Sequence, residues 1–125
     1  MASLKRNGII YFLVLAAILA SSLPASASAY FWKTGNDLVK CMREYERKER
    51  QEPRANTADA SLYLGFVIGV HDGLAGDAFC TPEQTAQGQI CAVVARYLNA
   101  HPEEWNKPAW LLVATALKQA FPCKK

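Results

Sequence analysis

The chain has 125 residues, 51% of them hydrophobic and 20% charged, with a formal net charge of +3. That balance excludes a disordered chain and suits one folded domain. Without Lys5 and Arg6, the 14 basic residues fall to 12 against 11 acidic. The basic surface suggested by a pI near 8.7 then disappears, and with it a case for nucleic acid or anionic lipid as partner.

Residues 1–29 read as a secretory signal peptide. Lys5 and Arg6 give a positive start, and Ile9 to Ala20 is an apolar run of 12 residues. Pro24 breaks the run, and Ala27-Ser28-Ala29 supplies the small residues of a cleavage site before Tyr30. Twelve residues are too few to span a bilayer, which needs about 20. The expectation is a cleaved, periplasmic protein with no membrane segment left. Removing 29 residues leaves 96, a single domain spanning 30–125. At that size cross-links help, because folding buries only somewhat over 60% of the unfolded chain's surface.

The first helix is predicted over Asp37 to Arg50, capped by Asn36, with Leu38, Cys41, Met42 and Tyr45 on one face. Its other face is charged, and Glu44–Lys48 and Glu46–Arg50 fall at i,i+4 spacing. The second helix, from Asn56 or Thr57 to Asp72, is apolar on nearly every side, as a central bundle helix would be. Ser61, Gly65 and Gly69 form a small-residue stripe along it, predicting a close approach by a neighbouring helix.

Gly73 to Ala78 reads as a glycine-rich connection, with Asp72 turning or capping the helix end. Thr81-Pro82 suggests a turn, with Thr85 offering a second cap. The third helix covers Ala86 to Asn99, with Ile90, Cys91, Val94, Tyr97 and Leu98 inward. After Pro102 and one helical turn, Pro108 opens a last helix with Trp110, Val113, Ala114, Leu117 and Phe121 on its buried face. The fold class is all-α, a bundle of four to five helices.

Four cysteines in a small exported domain read as two disulfides. Antiparallel third and fourth helices bring Cys80 near Cys123, which favours Cys80–Cys123 with Cys41–Cys91. Cys41–Cys80 with Cys91–Cys123 is the other open pairing. Cys80–Cys91 is disfavoured, because the helix between them holds them too far apart. The spacings contain no C-x-x-C, so no metal site is predicted. There is also no G-x-S-x-G or H-E-x-x-H. His71-Asp72 and His101 suggest packing rather than catalysis, because an oxidised cysteine cannot serve as nucleophile. No catalytic residue and no cofactor is predicted.

Several fragments occur in one order: "GNDLVKC" from Gly35, "GFVIGVHDG" from Gly65, "FCTP" from Phe79, "YLNAHPE" from Tyr97 and "ALKQAFPC" from Ala116. Together they resemble the Rap/Tai family of periplasmic immunity proteins associated with type VI secretion. The resemblance covers nearly all of 30–125. It implies a disulfide-bonded helical inhibitor of a peptidoglycan amidase effector, often a homodimer. Tyr63 stands where the family usually carries a cysteine, and Cys91 lies outside the pattern, which suggests a rewired partner for Cys41. The sequence marks Leu74 and Asp77 in the Gly73–Ala78 segment, and Trp32 near the start, as candidate partner contacts. The alternative is an orphan helical protein without a cognate toxin, or a holdase-like stress protein.

Overall fold

The structure is a computed structural model, and it describes residues 34–124. The predicted signal segment, its cleavage site and Trp32 lie outside the described residues. Helix α1 spans Gly35–Glu49. Its cap is Thr34, one turn ahead of Asp37, rather than Asn36. The Thr34 N–H and hydroxyl both donate to Asp37 Oδ2, at 3.4 and 3.2 Å. Asn36 is used elsewhere: its backbone N–H donates to Trp105 O at 2.8 Å, and its Nδ2 to the same oxygen at 3.1 Å. At the far end Gln51 takes a left-handed conformation, φ 57°. Its N–H donates to Lys48 O and that of Glu52 to Arg47 O, so the last carbonyls of α1 are satisfied.

Helix α2 spans Thr57–Leu74, with Asn56 Oδ1 accepting from the N–H groups of Ala58 and Asp59. It touches each of the other helices, yet it is not the enclosed central helix its composition predicts. Ala60, Tyr63 and Val67 are buried, whereas Leu64, Ile68 and Val70 are half-buried. Ser61, Gly65 and Gly69 are exposed. Apart from the adjoining residues and backbone of α2 itself, no described atom lies within 4 Å of the place a Cβ would occupy on Gly65 or Gly69. The predicted close helix approach along this stripe is therefore absent within the described chain. Gly65→Ala and Gly69→Ala should each raise stability by about 0.5–1 kcal/mol, since alanine loses less backbone entropy and nothing clashes. Chemical denaturation of the two variants measures it.

Helix α3 spans Gln87–Ala100, a 3-10 turn covers Pro102–Glu104, and helix α4 runs Ala109–Ala120. No strand occurs among the described residues beyond an isolated bridge between Ala75 and Phe79. The core joins Leu38, Val39 and Met42 of α1 to Tyr63 and Val67 of α2. Val94 and Leu98 of α3 and Leu112, Val113 and Leu117 of α4 close it. Tyr63 is fully buried and keeps its polar end satisfied by donating to Cys91 O at 2.8 Å, as a buried hydroxyl must.

One of the two expected disulfides forms. Cys80 and Cys123 are bonded, their Cα atoms 4.8 Å apart. Cys41 and Cys91 are free and buried, which corrects the predicted Cys41–Cys91 bridge. The two thiols face different partners: Cys41 meets Asp59 of α2, while Cys91 meets Tyr45, one turn further along α1. Burial pushes each pKa up to about 11, with the Asp59 carboxylate adding to the effect at Cys41. Thiolate, the reactive form, is scarce at neutral pH. Ellman's reagent should react slowly with native protein and should release two thiols per chain after unfolding. Rapid reaction of the native protein would contradict the burial.

Candidate partner-binding surface

The Gly73–Ala78 segment is more constrained than its glycines suggest. Gly73 and Leu74 still belong to α2, and Ala75 N–H donates to His71 O at 2.8 Å. Gly76 adopts φ 91°, a conformation glycine takes without strain. Its N–H donates to Phe79 O at 2.8 Å. Phe79 is 0% exposed, so the turn is nailed to the core one residue before the disulfide. Leu74 is half-buried and packs on the core, leaving Asp77 exposed on the turn. Of the two residues marked here, Asp77 is the more exposed.

Asp72 does not cap α2. It accepts from His71 Nδ1 at 2.9 Å, while His71 Nε2 and the Thr81 hydroxyl share a hydrogen bond of 3.0 Å. Carboxylate, imidazole and hydroxyl follow the order of a hydrolase triad. Here the ring lies on buried Phe79, centroids 5.6 Å apart; Nδ1 is held by its neighbour Asp72, and Nε2 ties the end of α2 to the residue after Cys80. The arrangement is a latch across the base of the turn.

The tryptophans divide differently from their predicted placement. Trp110 is 53% exposed, beside Leu111 at 38%, rather than buried. Helix α4 begins at Ala109, and its buried stripe is Ala109, Leu112, Val113, Ala116 and Leu117. Trp105 is half-buried, donates its Nε1–H to Leu98 O at 2.8 Å and carries the Arg43 guanidinium 5.6 Å from its ring centre.

The charged end of α1 forms a network other than the predicted i,i+4 pairs. Arg47 bridges Glu44 and Glu52, each at 2.8 Å, and Arg50 also pairs with Glu52 at 2.9 Å. Glu44 further accepts from Asn56 N–H at 2.7 Å, tying α1 to the start of α2. That N–H lowers the Glu44 pKa most, with Arg47 assisting, while Arg47 and Arg50 lower that of Glu52. Near the 3-10 turn Lys107 lowers that of Glu104. A depressed carboxylate stabilises the fold fully above its ordinary value of 4.5. The contribution is lost as pH falls through the lower folded value. The melting temperature should therefore hold down to about pH 5 and decline below it. Glu44→Gln should lower it at neutral pH and flatten the acid slope.

Two open grooves flank α3. One, of about 770 Å³, lies between α1 and α3, with Tyr45, Glu46 and Glu49 on one wall and Ala92, Arg96 and Asn99 on the other. The second, of about 390 Å³, lies between α3 and α4 and is lined by Val93, Arg96, Tyr97, His101, Ala116 and Gln119, among others. No group of His, Cys, Asp and Glu suited to a metal ion occurs among the described residues. What these surfaces offer is shape, exposed apolar area and charge, the means of a binding protein.

The model of the Rap1a immunity proteins matches residues 34–123. The chain belongs to that family. It is thus an immunity protein, and its partner is a toxin effector. No curated protein and no solved structure matches the chain. Among the described residues, no helix of this family member is long and apolar enough to cross a membrane. Of its predicted contacts, Asp77 is exposed on the turn, Leu74 beside it is half-buried, and Trp32 lies outside the described residues. Arg96 and the grooves beside it went unmarked in the sequence, where a single arginine between Ala95 and Tyr97 on a helix carries no distinguishing signal.

Proposed function

We propose that this immunity protein is exported to the periplasm and there binds a peptidoglycan amidase effector of type VI secretion. It blocks the enzyme by stoichiometric occupation and catalyses nothing. The observation that carries the reading is the family match over 34–123. The signal-like residues 1–29 support the compartment, and the ordered resemblance from Gly35 to Cys123 supports the amidase. A frame pinned by the Cys80–Cys123 bond and the His71 latch suits an inhibitor, because a preordered surface loses little entropy on binding. Asp77 on the turn and Trp32 are proposed toxin contacts. Leu74 supports the turn from below.

The test is a titration of the purified 30–125 protein against the amidase encoded beside its gene, following peptidoglycan cleavage. Inhibition complete at a fixed molar ratio is expected, and Asp77→Ala should weaken it at unchanged melting temperature. Undiminished cleavage at a tenfold excess of this protein would overturn the reading.

A further inference from the structure

The two grooves beside α3 share one charged residue, Arg96. Except for Glu49 on the α1 wall, the other charged groups lining the grooves have partners. Glu104 accepts from the Tyr97 hydroxyl and pairs with Lys107, both at 2.7 Å. Glu103 is bound by His101 at 3.1 Å, and Glu46 accepts from Asn99 Nδ2 at 3.1 Å. Arg47, Arg50 and Lys107 all sit in ion pairs. Arg96 is exposed and makes no ion pair among the described residues.

The grooves differ in charge. Glu46, Glu49 and Arg50, the last already paired with Glu52, line the α1 side, whereas no carboxylate lines the α3–α4 groove. That second groove is floored by small or short apolar side chains, Val93, Ala116 and Ala120, which leave room above them. Its polar rim is Arg96, His101 and Gln119. An anion entering from the α4 side meets a free guanidinium, and one entering from the α1 side meets two carboxylates. Arginine suits this task because its planar fork binds a carboxylate through two hydrogen bonds.

The geometry points to the α3–α4 groove as the seat of an acidic segment of the toxin, anchored by an Asp or Glu carboxylate on Arg96. A neighbouring apolar side chain of the same segment packs over Ala116 and Ala120. The assignment rests on the immunity reading and adds to it the chemistry of the contact. Arginine is also among the residues that dominate binding energy when set in an apolar surround.

Three variants of the 30–125 protein test it against the neighbouring effector by calorimetry, with melting temperature recorded for each. Arg96→Glu should weaken binding by at least about tenfold, because the reversed charge repels the carboxylate. Arg96→Lys should retain most of the affinity, and raising the salt concentration should weaken the parent more than Arg96→Glu. Ala100→Trp, at an exposed position bordering both grooves, should weaken binding by filling them. If the parent binds and both Arg96→Glu and Ala100→Trp bind equally well, the groove assignment falls while the immunity reading stands. If Arg96→Glu instead changes only the chain's own association in sedimentation, the groove belongs to a second copy and the assignment also falls. A parent that does not bind the effector removes both.

Discussion

Replacing both Cys80 and Cys123 with alanine should lower stability by about 4 kcal/mol. The bond closes a loop with a sequence separation of 43, and loop-closure entropy for that length is about 4 kcal/mol at 25 °C. Domains of this size have total stabilities of about 5–15 kcal/mol, so the loss is a large share. It corresponds to a fall in melting temperature of roughly 15–30 °C. The bond does not act alone: Cys80 N–H donates to Phe121 O at 2.8 Å, and Phe79 is fully buried next to it. These contacts place the two sulfurs together, and the bond then removes freedom from the unfolded chain. Thermal melts of the double variant and of parent protein under reductant should agree. A fall of less than about 5 °C in both would mean that Phe79 and the backbone contact hold the terminus by themselves.

The same bond shows what sequence reasoning can reach. Antiparallel α3 and α4 follow from a short connection, and their spans place Cys80 by Cys123 without any knowledge of side-chain packing. The helix positions were legible for the same reason, since proline, glycine and apolar period are local signals. The Cys41–Cys91 pairing rested on counting instead. An even number of cysteines says nothing about facing, and here the two thiols meet α2 and α1 at different levels.

Trp110 shows a different limit. The predicted set 110, 113, 114, 117 and 121 and the observed set 109, 112, 113, 116 and 117 share Val113 and Leu117. Helical period alone cannot separate them. Size favoured Trp110, but the buried side of α4 has to meet Gly35 of α1, where Leu112 packs. The binding surface was the least legible part. Arg96 becomes distinctive only when it is seen to border two grooves without an ion pair of its own, and that requires the fold.

Gly35→Ala should cost about 2–3 kcal/mol, and Gly35→Val more. A Cβ at this buried glycine would meet the Cδ1 atom of Leu112 and come within 3.0 Å of both the Cα and the carbonyl oxygen of Trp105. The leucine methyl could swing aside at small cost. The Trp105 backbone cannot, because its carbonyl already accepts from Asn36 N–H and Asn36 Nδ2. Its indole is held by Leu98 O, and Gly35 N–H itself donates to Lys107 O at 2.9 Å. Making room therefore means pulling the start of α1 off the Trp105–Lys107 turn and stretching three hydrogen bonds together. The melting temperature of Gly35→Ala should fall by about 10–20 °C, while Gly65→Ala, in open space on α2, should rise. The opposite signs are the discriminating result, because both changes add the same methyl group to a helical glycine. Equal and small shifts for the two variants would show that the turn slides to accept a side chain, and that contact at Gly35 is not what fixes α1 against α4.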